Sequence, residues 1–458
     1  MCDAGTTVSA METGATDPRT RLTRRAIIVW AGAVLFYIVA IAGRTSFGVA
    51  GVHAIERFEV DASRIAVFTV VQVGVYALAQ IPTGLLIDRF APKRVLLAGA
   101  LIMAAGQILL GFTDVYWVAL LARVLIGAGD ASAFLSVMRI LPYWFPLRWT
   151  PLFTQLTASL GQLGQFISAV PFLALLNAQG WSTAFISLGA VGILVALAAG
   201  VAVSDNPDSG SGDNPAGATG DGSDTKTAQT DIEATRSFWE NLAFVLRHPV
   251  CWQAFFIHYS SMLFQIIFTL LWGSPLILLG MGMGSAEVGL VLTINTVTSV
   301  LAGPVMGFVS QRSGRNRDIA AFLSALTIGI TWIVFFLPTE PRGLVALIVV
   351  NVIMAFFTTT SNFGFDGVRE RLPRTSVATG TGLGNMGGFA AAMIASQLVG
   401  LLLDFSSDGQ AYGWEDFRLA WGAVIGMWAL GLIGSLVSRA AVKRRDRGTP
   451  PIKVVDEG

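Results

Sequence analysis

Long apolar segments recur along the whole chain, and they restrict its fold more than any other feature. A helix that crosses a bilayer needs roughly 17–25 apolar residues, because each residue rises about 1.5 Å through a hydrocarbon core about 30 Å thick. Twelve segments meet this requirement, near residues 26–54, 62–88, 94–112, 115–145, 151–178, 182–203, 248–279, 286–311, 318–337, 343–371, 376–404 and 416–440. The sequence therefore predicts an all-α membrane protein with twelve transmembrane helices.

The composition agrees with this prediction and excludes several other classes of protein. Hydrophobic residues make up 53% of the chain and charged residues 13%, which is about half the charged share of an average soluble domain. Thirty basic residues nearly balance 29 acidic ones, so the net charge predicts no nucleic-acid partner. Cys2 and Cys251 lie far apart in the sequence, and we expect no disulfide, metal site or cofactor.

Basic residues lie mostly on one side of the predicted helices. If the amino terminus is cytoplasmic, segments on that side hold 23 of the 30 Lys and Arg residues, the opposite segments hold four and the spans hold three. Cytoplasmic loops of membrane proteins carry such an excess. We therefore expect a multi-pass protein of the cytoplasmic membrane with both termini in the cytoplasm and an even number of spans.

Residues 1–25 form a polar leader that ends in four arginines before the first apolar segment. A secretory signal begins in a similar way, but its cleavage would leave an odd number of spans and would remove Arg44. We expect an uncleaved first helix. The sequence leaves open whether Met1 or Met11 is the start.

The two halves of the chain repeat one motif. The segment Gly84-Leu-Leu-Ile-Asp88-Arg89 corresponds to Gly307-Phe-Val-Ser-Gln311-Arg312, 223 residues later, and Leu141-Pro142 is echoed by Leu372-Pro373. A polar stretch rich in Gly, Ser and Asp separates the halves. These features predict two pseudo-symmetric six-helix bundles related as parallel repeats. The expected order is a leader (1–25), a first bundle (26–203), a cytoplasmic linker (204–247), a second bundle (248–440) and a cytoplasmic tail (441–458).

The pattern Gly84-x-x-x-Asp88-Arg89-x-x-x-Lys93-Arg94 resembles the loop signature of the major facilitator superfamily, with Ala91-Pro92 where the family usually has Gly. Together with the repeat, this resemblance covers residues 26–440 and implies transport by alternating access. It also implies that the loop charges clamp and release neighbouring helix ends. The residues expected to act in gating are Asp88, Arg89, Lys93, Arg94 and Arg312. The alternative, positive-inside charge with a helix cap, explains the basic residues but not Asp88 beside them.

The fourth predicted helix resembles one branch of that family. Its Arg123-Val-Leu-Ile-Gly127 is similar to the family's Arg-x-x-x-Gly pattern, and Gly129-Asp130, Arg139 and Trp144-Phe145-Pro146 are similar to the anion:cation symporters, which carry sugar acids and other organic anions. That branch usually has Gly-Glu where this chain has Gly129-Asp130. It also has an Asp-Arg pair in its first helix, where this chain has Gly43-Arg44.

Three ionisable residues lie inside predicted spans: Arg44, Arg123 and Asp130. Such a group costs roughly 3 kcal/mol at the bilayer centre, so it usually faces a partner or a water-filled cavity. Arg44 is expected to bind a carboxylate, because its fork of donors matches two oxygens. Asp130 and Arg123 are expected to couple transport to protons. In the alternative, Arg123 and Asp130 form a static ion pair within the fourth helix.

Uncharged polar residues complete the predicted site. The resemblance implies a cavity lined by helices one, four, seven and ten, flanked by two, five, eight and eleven. The candidates on these helices are Tyr37, Gln72, Tyr76, Gln162, Gln165, His258, Gln265, Asn295, Asn362 and Asn385. Each of them is also suited to an interhelical hydrogen bond. Asp366, beside Arg369, Glu370 and Arg371, is either an inner-gate cluster or a solvated helix end, and Arg139 is expected to be structural.

The leading hypothesis is secondary active transport of a small organic anion, a carboxylate, across the cytoplasmic membrane by alternating access, with protons or another cation as the symported ion. The sequence leaves the direction of transport open. The alternative is proton-coupled drug or metabolite efflux. Exporters of the superfamily that this chain resembles usually carry a Gly-Pro-rich signature in the fifth helix, and this chain lacks it. A membrane enzyme, a receptor and a nucleotide-driven pump are disfavoured, because no metal spacing, nucleophile motif or phosphate-binding loop occurs. The expected partners are the solute, the coupling ion and the bilayer, and we expect a monomer.

Overall fold

The computed structural model describes residues 22–60, 62–205, 237–407 and 412–448. Most of the leader, the middle of the linker and the end of the tail predicted from the sequence lie outside these residues. The fifteen main helices are α1 (Arg24–Val49), α2 (Gly51–Phe58), α3 (Ala62–Phe90), α4 (Pro92–Phe112), α5 (Tyr116–Trp144), α6 (Thr150–Ile167), α7 (Leu173–Ala202), α8 (Phe238–Arg247), α9 (Pro249–Ile267), α10 (Ser285–Ser313), α11 (Arg317–Phe336), α12 (Leu344–Thr358), α13 (Phe363–Arg371), α14 (Val377–Ser407) and α15 (Trp414–Gly448).

Short helical segments of other types connect several of these helices. The 3₁₀ turns are Leu147–Trp149, Gly314–Asn316, Thr359–Asn362 and Arg374–Ser376. Wider π-helical turns cover Ser168–Phe172, Phe268–Trp272 and Leu276–Gly280, with a short α-turn at Gly273–Pro275. Two of the π-helical turns continue α6 and α9 without a loop, so each of these helices extends beyond its regular part.

Ten segments of the described chain are long and apolar enough to cross a membrane. Two of them, Leu147–Ala202 with 56 residues and Ala286–Phe336 with 51, are far longer than one crossing requires. Each contains a sharp break: Gly180 has a φ of 81° inside α7, and Gly314 has a φ of 47° between α10 and α11. Division at these two glycines gives twelve crossing segments, close to the positions that hydropathy predicts.

The helix ends differ from the sequence prediction in three places. The first predicted helix stops at Val49, and a separate short helix, α2, follows it. The predicted linker ends in α8, whose start is fixed by a capping box between Ser237 and Glu240. The last helix continues to Gly448 and therefore includes part of the predicted tail. Polar or amphipathic helical turns such as these carry no signal in a search for long apolar runs.

Each half of the chain has its own apolar core. Aromatic side chains such as Phe36, Phe47 and Phe185 are buried in the amino-terminal half. In the carboxyl-terminal half, the rings of Trp332 and Trp421 lie 5.2 Å apart. Each half thus has its own set of buried aromatic side chains, while Phe365 and Tyr76 pack into the core of the opposite half.

Close helix crossings join the halves at the two repeated glycines. A Cβ atom at Gly84 of α3 would lie 2.7 Å from the carbonyl oxygen of Ala378 in α14, and a Cβ at Gly307 of α10 would lie 3.0 Å from Cα of Leu152 in α6. Helix backbones approach this closely only where no side chain intervenes. These crossings lie toward the end of the bundle where α1 begins, which we call the basic end because Arg24, Arg89 and Arg94 are there.

Candidate functional site

A cavity of about 270 Å³ lies between the two halves. Both halves contribute to it, and most of its polar side chains are uncharged. The polar lining residues are Tyr37, Arg44, Thr45, Tyr76, Ser159, Gln162, Gln165, His258, Gln265, Thr269, Asn295, Thr296, Ser299, Thr358, Thr359, Ser361, Asn362 and Asn385. Among the lining residues of the described chain, Arg44 is the only Lys, Arg, Asp or Glu. The size and lining of the cavity suit a small polar ligand.

Arg44 of α1 forms a two-pronged ion pair with Asp130 of α5. Its Nε donates to Oδ2 over 2.6 Å, and its Nη2 donates to Oδ1 over 3.0 Å. The guanidinium also stacks on the ring of Tyr76, 4.3 Å from the ring centre. Asp130 takes two of the five N–H donors of arginine, so three remain for other acceptors. Arg44 therefore faces the cavity with donors to spare, while the side chain of Asp130 is fully buried behind it.

Arg123 does not pair with Asp130, and the alternative of a static ion pair between them is wrong. Seven residues of helix separate the two along about 10 Å of axis, which is too far for a direct contact. Instead, Arg123 donates from Nη2 to the carbonyl oxygen of Arg44 and stacks on Phe47, 4.7 Å from the ring centre. Two of its nitrogen atoms have no hydrogen-bond partner in the described structure. Arg44, Arg123 and Asp130 together thus carry one net positive charge.

Gly43, where the symporter branch usually has an acid, lies against α4. A Cβ atom there would be 2.7 Å from Nε2 of Gln107 and still closer to the end of Met103. The same Gln107 nitrogen donates to the carbonyl oxygen of Gly43. Position 43 therefore faces a helix contact, and its missing carboxylate leaves Asp130 as the acid beside Arg44.

The opposite wall of the cavity comes from the carboxyl-terminal half. Nδ1 of His258 accepts the backbone N–H of Gly388 over 3.1 Å, so the neutral ring carries its proton on Nε2. Gln265 donates to Asn295 over 2.6 Å, and Asn295 donates in turn to Asn351. This wall offers neutral donors and acceptors opposite Arg44.

Two amide contacts between the halves close the cavity on the side of the basic end. Asn385 of α14 donates to the hydroxyl of Tyr76 and to Oε1 of Gln80, both on α3. Asn362 donates to Oε1 of Gln155 on α6, and Gln155 donates to the carbonyl oxygen of Thr359. These contacts form the floor of the cavity.

Nearer the basic end, Asp88 holds the start of α14. Its carboxylate accepts the backbone N–H groups of Ala378 and Thr379 and the hydroxyl of Thr379, at 3.1, 2.8 and 2.6 Å. It also pairs with Arg139 over 3.1 Å. A carboxylate at the first turn of a helix caps free N–H groups and meets the positive end of the helix dipole. Asp88 is thus a helix cap supplied by the other half.

The second half has its own charged contact across the interface. Asp366 pairs with Arg369 over 3.0 Å and accepts a hydrogen bond from Ser310, and Arg369 donates to Thr154 of α6 over 2.6 Å. Both charged side chains are buried, at 2% and 0% exposure. The prediction of an inner charge cluster fits this geometry, and the alternative of a solvated helix end is wrong.

The other predicted gating residues lie elsewhere. Arg89, Arg94 and Arg312 are exposed, and Arg89 stacks on the ring of its neighbour Phe90. Lys93 is partly buried, and its backbone N–H donates to Asp205. Within the described chain, these side chains make none of the contacts between the halves that Asp88 makes.

Nine of the ten uncharged candidates line the cavity, and Gln72 does not. Gln72 is buried where α3 crosses α5, and its carbonyl oxygen would lie 2.7 Å from a Cβ at Gly127. Gln72 lies one helical turn before Tyr76 in the sequence, at a point where α3 packs against α5. The prediction that Gln72 lines the cavity is therefore wrong. Gln155 and Gln80 contribute contacts between the halves that the sequence does not predict, and Arg139, for which the sequence predicts only a structural role, pairs with Asp88. The repeated Leu-Pro motif was an available signal, since Arg139 and Arg369 precede it in the two halves.

No group of three or more His, Cys, Asp and Glu side chains in the described ranges is arranged to hold a metal ion.

The family model described as Major Facilitator Superfamily matches residues 33–396. Curated relatives match over shorter stretches. A probable sulfoacetate transporter of Cupriavidus necator is 30% identical over 38% of this chain and 40% of its own length. A probable galactarate/D-glucarate transporter of Escherichia coli is 31% identical over 27% of this chain and 28% of its own length. A quinolone resistance transporter of Acinetobacter baumannii is 27% identical over 38% and 42%. The matched part thus spans less than half the length of these relatives.

Solved structures match over nearly the whole chain. The crystal structure of a bacterial homologue of the iron transporter ferroportin, in an outward-facing state, superposes with a TM-score of 0.67 at 13% identity. It covers 90% of this chain and 99% of that one. This likeness concerns the fold.

Proposed function

The chain belongs to the Major Facilitator Superfamily of membrane transporters. We propose that it is a secondary active transporter that moves a small organic anion across the membrane by alternating access. The observation that carries the proposal is Arg44, the one Lys, Arg, Asp or Glu side chain among the described residues that line the cavity. Its guanidinium has donors left over after its pair with Asp130, and their fork matches the two oxygens of a carboxylate.

The buried charges support an anionic substrate. Arg44 and Arg123 carry two positive charges against the single carboxylate of Asp130, in a region where few other charges compete. An anion in the cavity neutralises the surplus, whereas a cation adds to it, and buried charges are screened little by salt. The neutral wall of His258, Gln265 and Asn295 suits hydroxyl groups on such an anion.

Two relatives support the same chemical class. One is named for sulfoacetate and another for galactarate and D-glucarate, which are all small acids. Since the described lining holds one fixed cation, we propose that one acid group of the substrate binds Arg44 and the rest binds neutral donors. Hydroxylated monoacids are therefore the first compounds to screen.

Protonation of Asp130 is the proposed coupling step. When Asp130 is ionised it serves as counter-ion for Arg44, and when it takes a proton the arginine is free to hold the substrate anion instead. The empty site and the site loaded with one proton and one anion then carry the same net charge. A symporter that exchanges one counter-ion for another in this way avoids leaving a buried charge without a partner.

The distribution of basic residues supports a cytoplasmic location for the basic end and for both termini. With the halves joined at that end by Asp88, Asn385 and Gln155, the cavity faces outward in this conformation. An outward-facing cavity is ready to receive substrate from outside, which suits uptake.

Proton-coupled drug efflux is the second candidate, and the match to a quinolone resistance transporter favours it. Aromatic side chains in the cavity, Tyr37, Phe134 and Phe389, could contact a flat hydrophobic drug. The single fixed cation weighs against the cationic drugs that many exporters carry.

A transport assay separates the two candidates. Purified protein in liposomes is offered a panel of radiolabelled hydroxylated monoacids, diacids, sulfonates and hydrophobic cations. The proposal predicts saturable uptake of at least one acid, inhibited by unlabelled acids of the same class. Movement of hydrophobic cations or quinolones with no acid transported would favour the efflux candidate.

A further inference from the structure

A second cavity, of about 150 Å³, lies at the basic end, entirely within the carboxyl-terminal half and away from the central cavity. It is enclosed by the first half of α9, the turn between α10 and α11, and parts of α13 and α15. We call it the basic pocket. Its charged lining residues are Arg315, Arg317, Asp318, Glu370, Arg371, Arg439, Lys443 and Asp446. Neither the transport proposal nor the gate contacts use this pocket.

The charges of the basic pocket do not balance. Its three carboxylates each pair with an arginine: Glu370 with Arg317, Asp318 with Arg439, and Asp446 with Arg371. After these pairs, Arg315 and Lys443 remain as two positive charges without a carboxylate in the pocket. The pocket therefore attracts a compact anion.

A histidine lies close to the same positive charges. His248, at the start of α9, has its pKa lowered to about 4, first by burial and then by the charges of Arg445 and Arg371. The ring is neutral at physiological pH and adds no charge of its own.

A narrow slot leads from the basic pocket toward the lipid-facing surface. It shares Gln253, Asp318 and Arg439 with the pocket and is otherwise lined mainly by apolar side chains of α11 and α15, Ile319, Phe322 and Leu436. Leu436 is 49% exposed on the outside of the bundle. A soluble anion needs no apolar slot, whereas a lipid places its headgroup in the pocket and its chain along the slot.

The pocket also offers an acceptor to a headgroup hydroxyl. Oδ1 of Asp318 is buried and has no hydrogen-bond partner among the described residues. A buried acceptor without a donor costs stability, so a ligand hydroxyl at this position is favourable. This feature suits the hydroxyl groups of a phosphoglycerol headgroup.

We propose that the basic pocket binds the phosphate headgroup of an anionic phospholipid, with Arg315 and Lys443 holding the phosphate and the slot between α11 and α15 holding the start of an acyl chain. Basic pockets between helices on the cytoplasmic side of membrane proteins suit such headgroups. The ligand links α11, α13 and α15 beside the Asp366–Arg369 pair.

Native mass spectrometry of the purified full-length protein tests this proposal. Phosphatidylglycerol, phosphatidylcholine and inorganic phosphate are titrated separately against the wild type, the double variant Arg315→Ala/Lys443→Ala, and the control Arg247→Ala/Arg444→Ala. The control removes two exposed charges from the same end without touching the pocket lining. Each basic group near a headgroup contributes about 1 kcal/mol, so the double variant should bind phosphatidylglycerol about thirtyfold more weakly.

The wild type and the control should each retain one phosphatidylglycerol in preference to phosphatidylcholine. Equal binding of phosphatidylglycerol to the double variant overturns the assignment of Arg315 and Lys443. Equal binding of the two lipids, or full displacement of phosphatidylglycerol by millimolar inorganic phosphate, overturns the lipid assignment. If the double variant does not fold, the preference of the wild type between the two lipids, and its loss in high salt, decides the question.

Discussion

At the scale of single residues, the sequence identifies Arg44, Arg123 and Asp130, because a charge inside an apolar segment needs a reason. It does not identify which of them pair. Arg44 and Asp130 are 86 residues apart, and their contact depends on the rotation of α1 and α5 about their axes. Gln72 and Tyr76 show the same limit, since only the structure tells which of two polar residues on one helix reaches the cavity.

Arg44→Lys tests the binding role of the guanidinium. Lysine keeps the charge and can still pair with Asp130, but it loses the planar fork that holds two oxygens. Loss of one charge-assisted hydrogen bond, about 1.5–3 kcal/mol, should weaken binding of the transported acid about tenfold to a hundredfold. Isothermal titration calorimetry on the purified variant gives the Kd.

The matched control is Arg57→Lys, in the same half. Arg57 donates to the carbonyl oxygen of Thr113 and does not line the cavity. The Kd of the Arg57→Lys protein for the transported acid should equal that of the wild type. An Arg44→Lys protein with unchanged Kd would remove Arg44 from the substrate site.

At the scale of helices, the repeat identifies elements that make contacts between the halves. Gly84 and Gly307 occupy corresponding positions in the sequence repeat. In the structure, helices of the two halves cross closely at both positions, which explains why each is a glycine. We expect Asp88 to act in gating. Its partner in the structure is the start of α14, 290 residues away, and no local sequence pattern encodes that contact. The exposed Arg89, Arg94 and Arg312 belong to the same motif without sharing the contact.

Gly84→Ala should destabilise the protein in the conformation described here. The new Cβ would lie 2.7 Å from the Ala378 carbonyl and from Cα of Thr379, so the helices must separate, at a cost of about 1–3 kcal/mol. Thermal denaturation in detergent should show a lower Tm. Gly307→Ala, with 3.0 Å of room, should show a smaller decrease.

The control for this pair is Gly426→Ala in α15, where an added Cβ meets nothing within 4 Å. Alanine also favours the helix over glycine, so its Tm should stay level or rise slightly. A Gly84→Ala protein as stable as Gly426→Ala would show that the crossing is not tight.

Asp88→Asn should loosen the first turn of α14. The amide removes the negative charge that meets the helix dipole and Arg139, and it replaces an acceptor by a donor. Hydrogen exchange at Ala378 and Thr379 should become about tenfold faster, which corresponds to about 1.4 kcal/mol. Glu415→Gln, which alters an exposed pair with Arg418 in α15, should leave this exchange unchanged. Unchanged exchange in Asp88→Asn would contradict the capping role.

At the scale of the whole molecule, the two-bundle architecture follows from hydropathy and from the 223-residue repeat, and the family match confirms it. The conformation does not follow, because one sequence must support both an outward and an inward state during alternating access. The polar contacts between the halves in the present state include Asp88 with α14, Arg369 with Thr154, and the Asn385 and Asn362 contacts at the floor of the cavity. All of them lie on the side of the basic end.

The central claim is that a substrate anion and a proton replace one another as partners of Arg44 and Asp130. Its most direct test is accumulation of the transported acid in liposomes with an imposed pH gradient, acidic outside, for the wild type and Asp130→Asn. The account predicts that the wild type concentrates the acid above equilibrium, while the variant exchanges labelled for unlabelled acid but does not concentrate it. Gradient-driven accumulation by Asp130→Asn at the wild-type level would contradict the account.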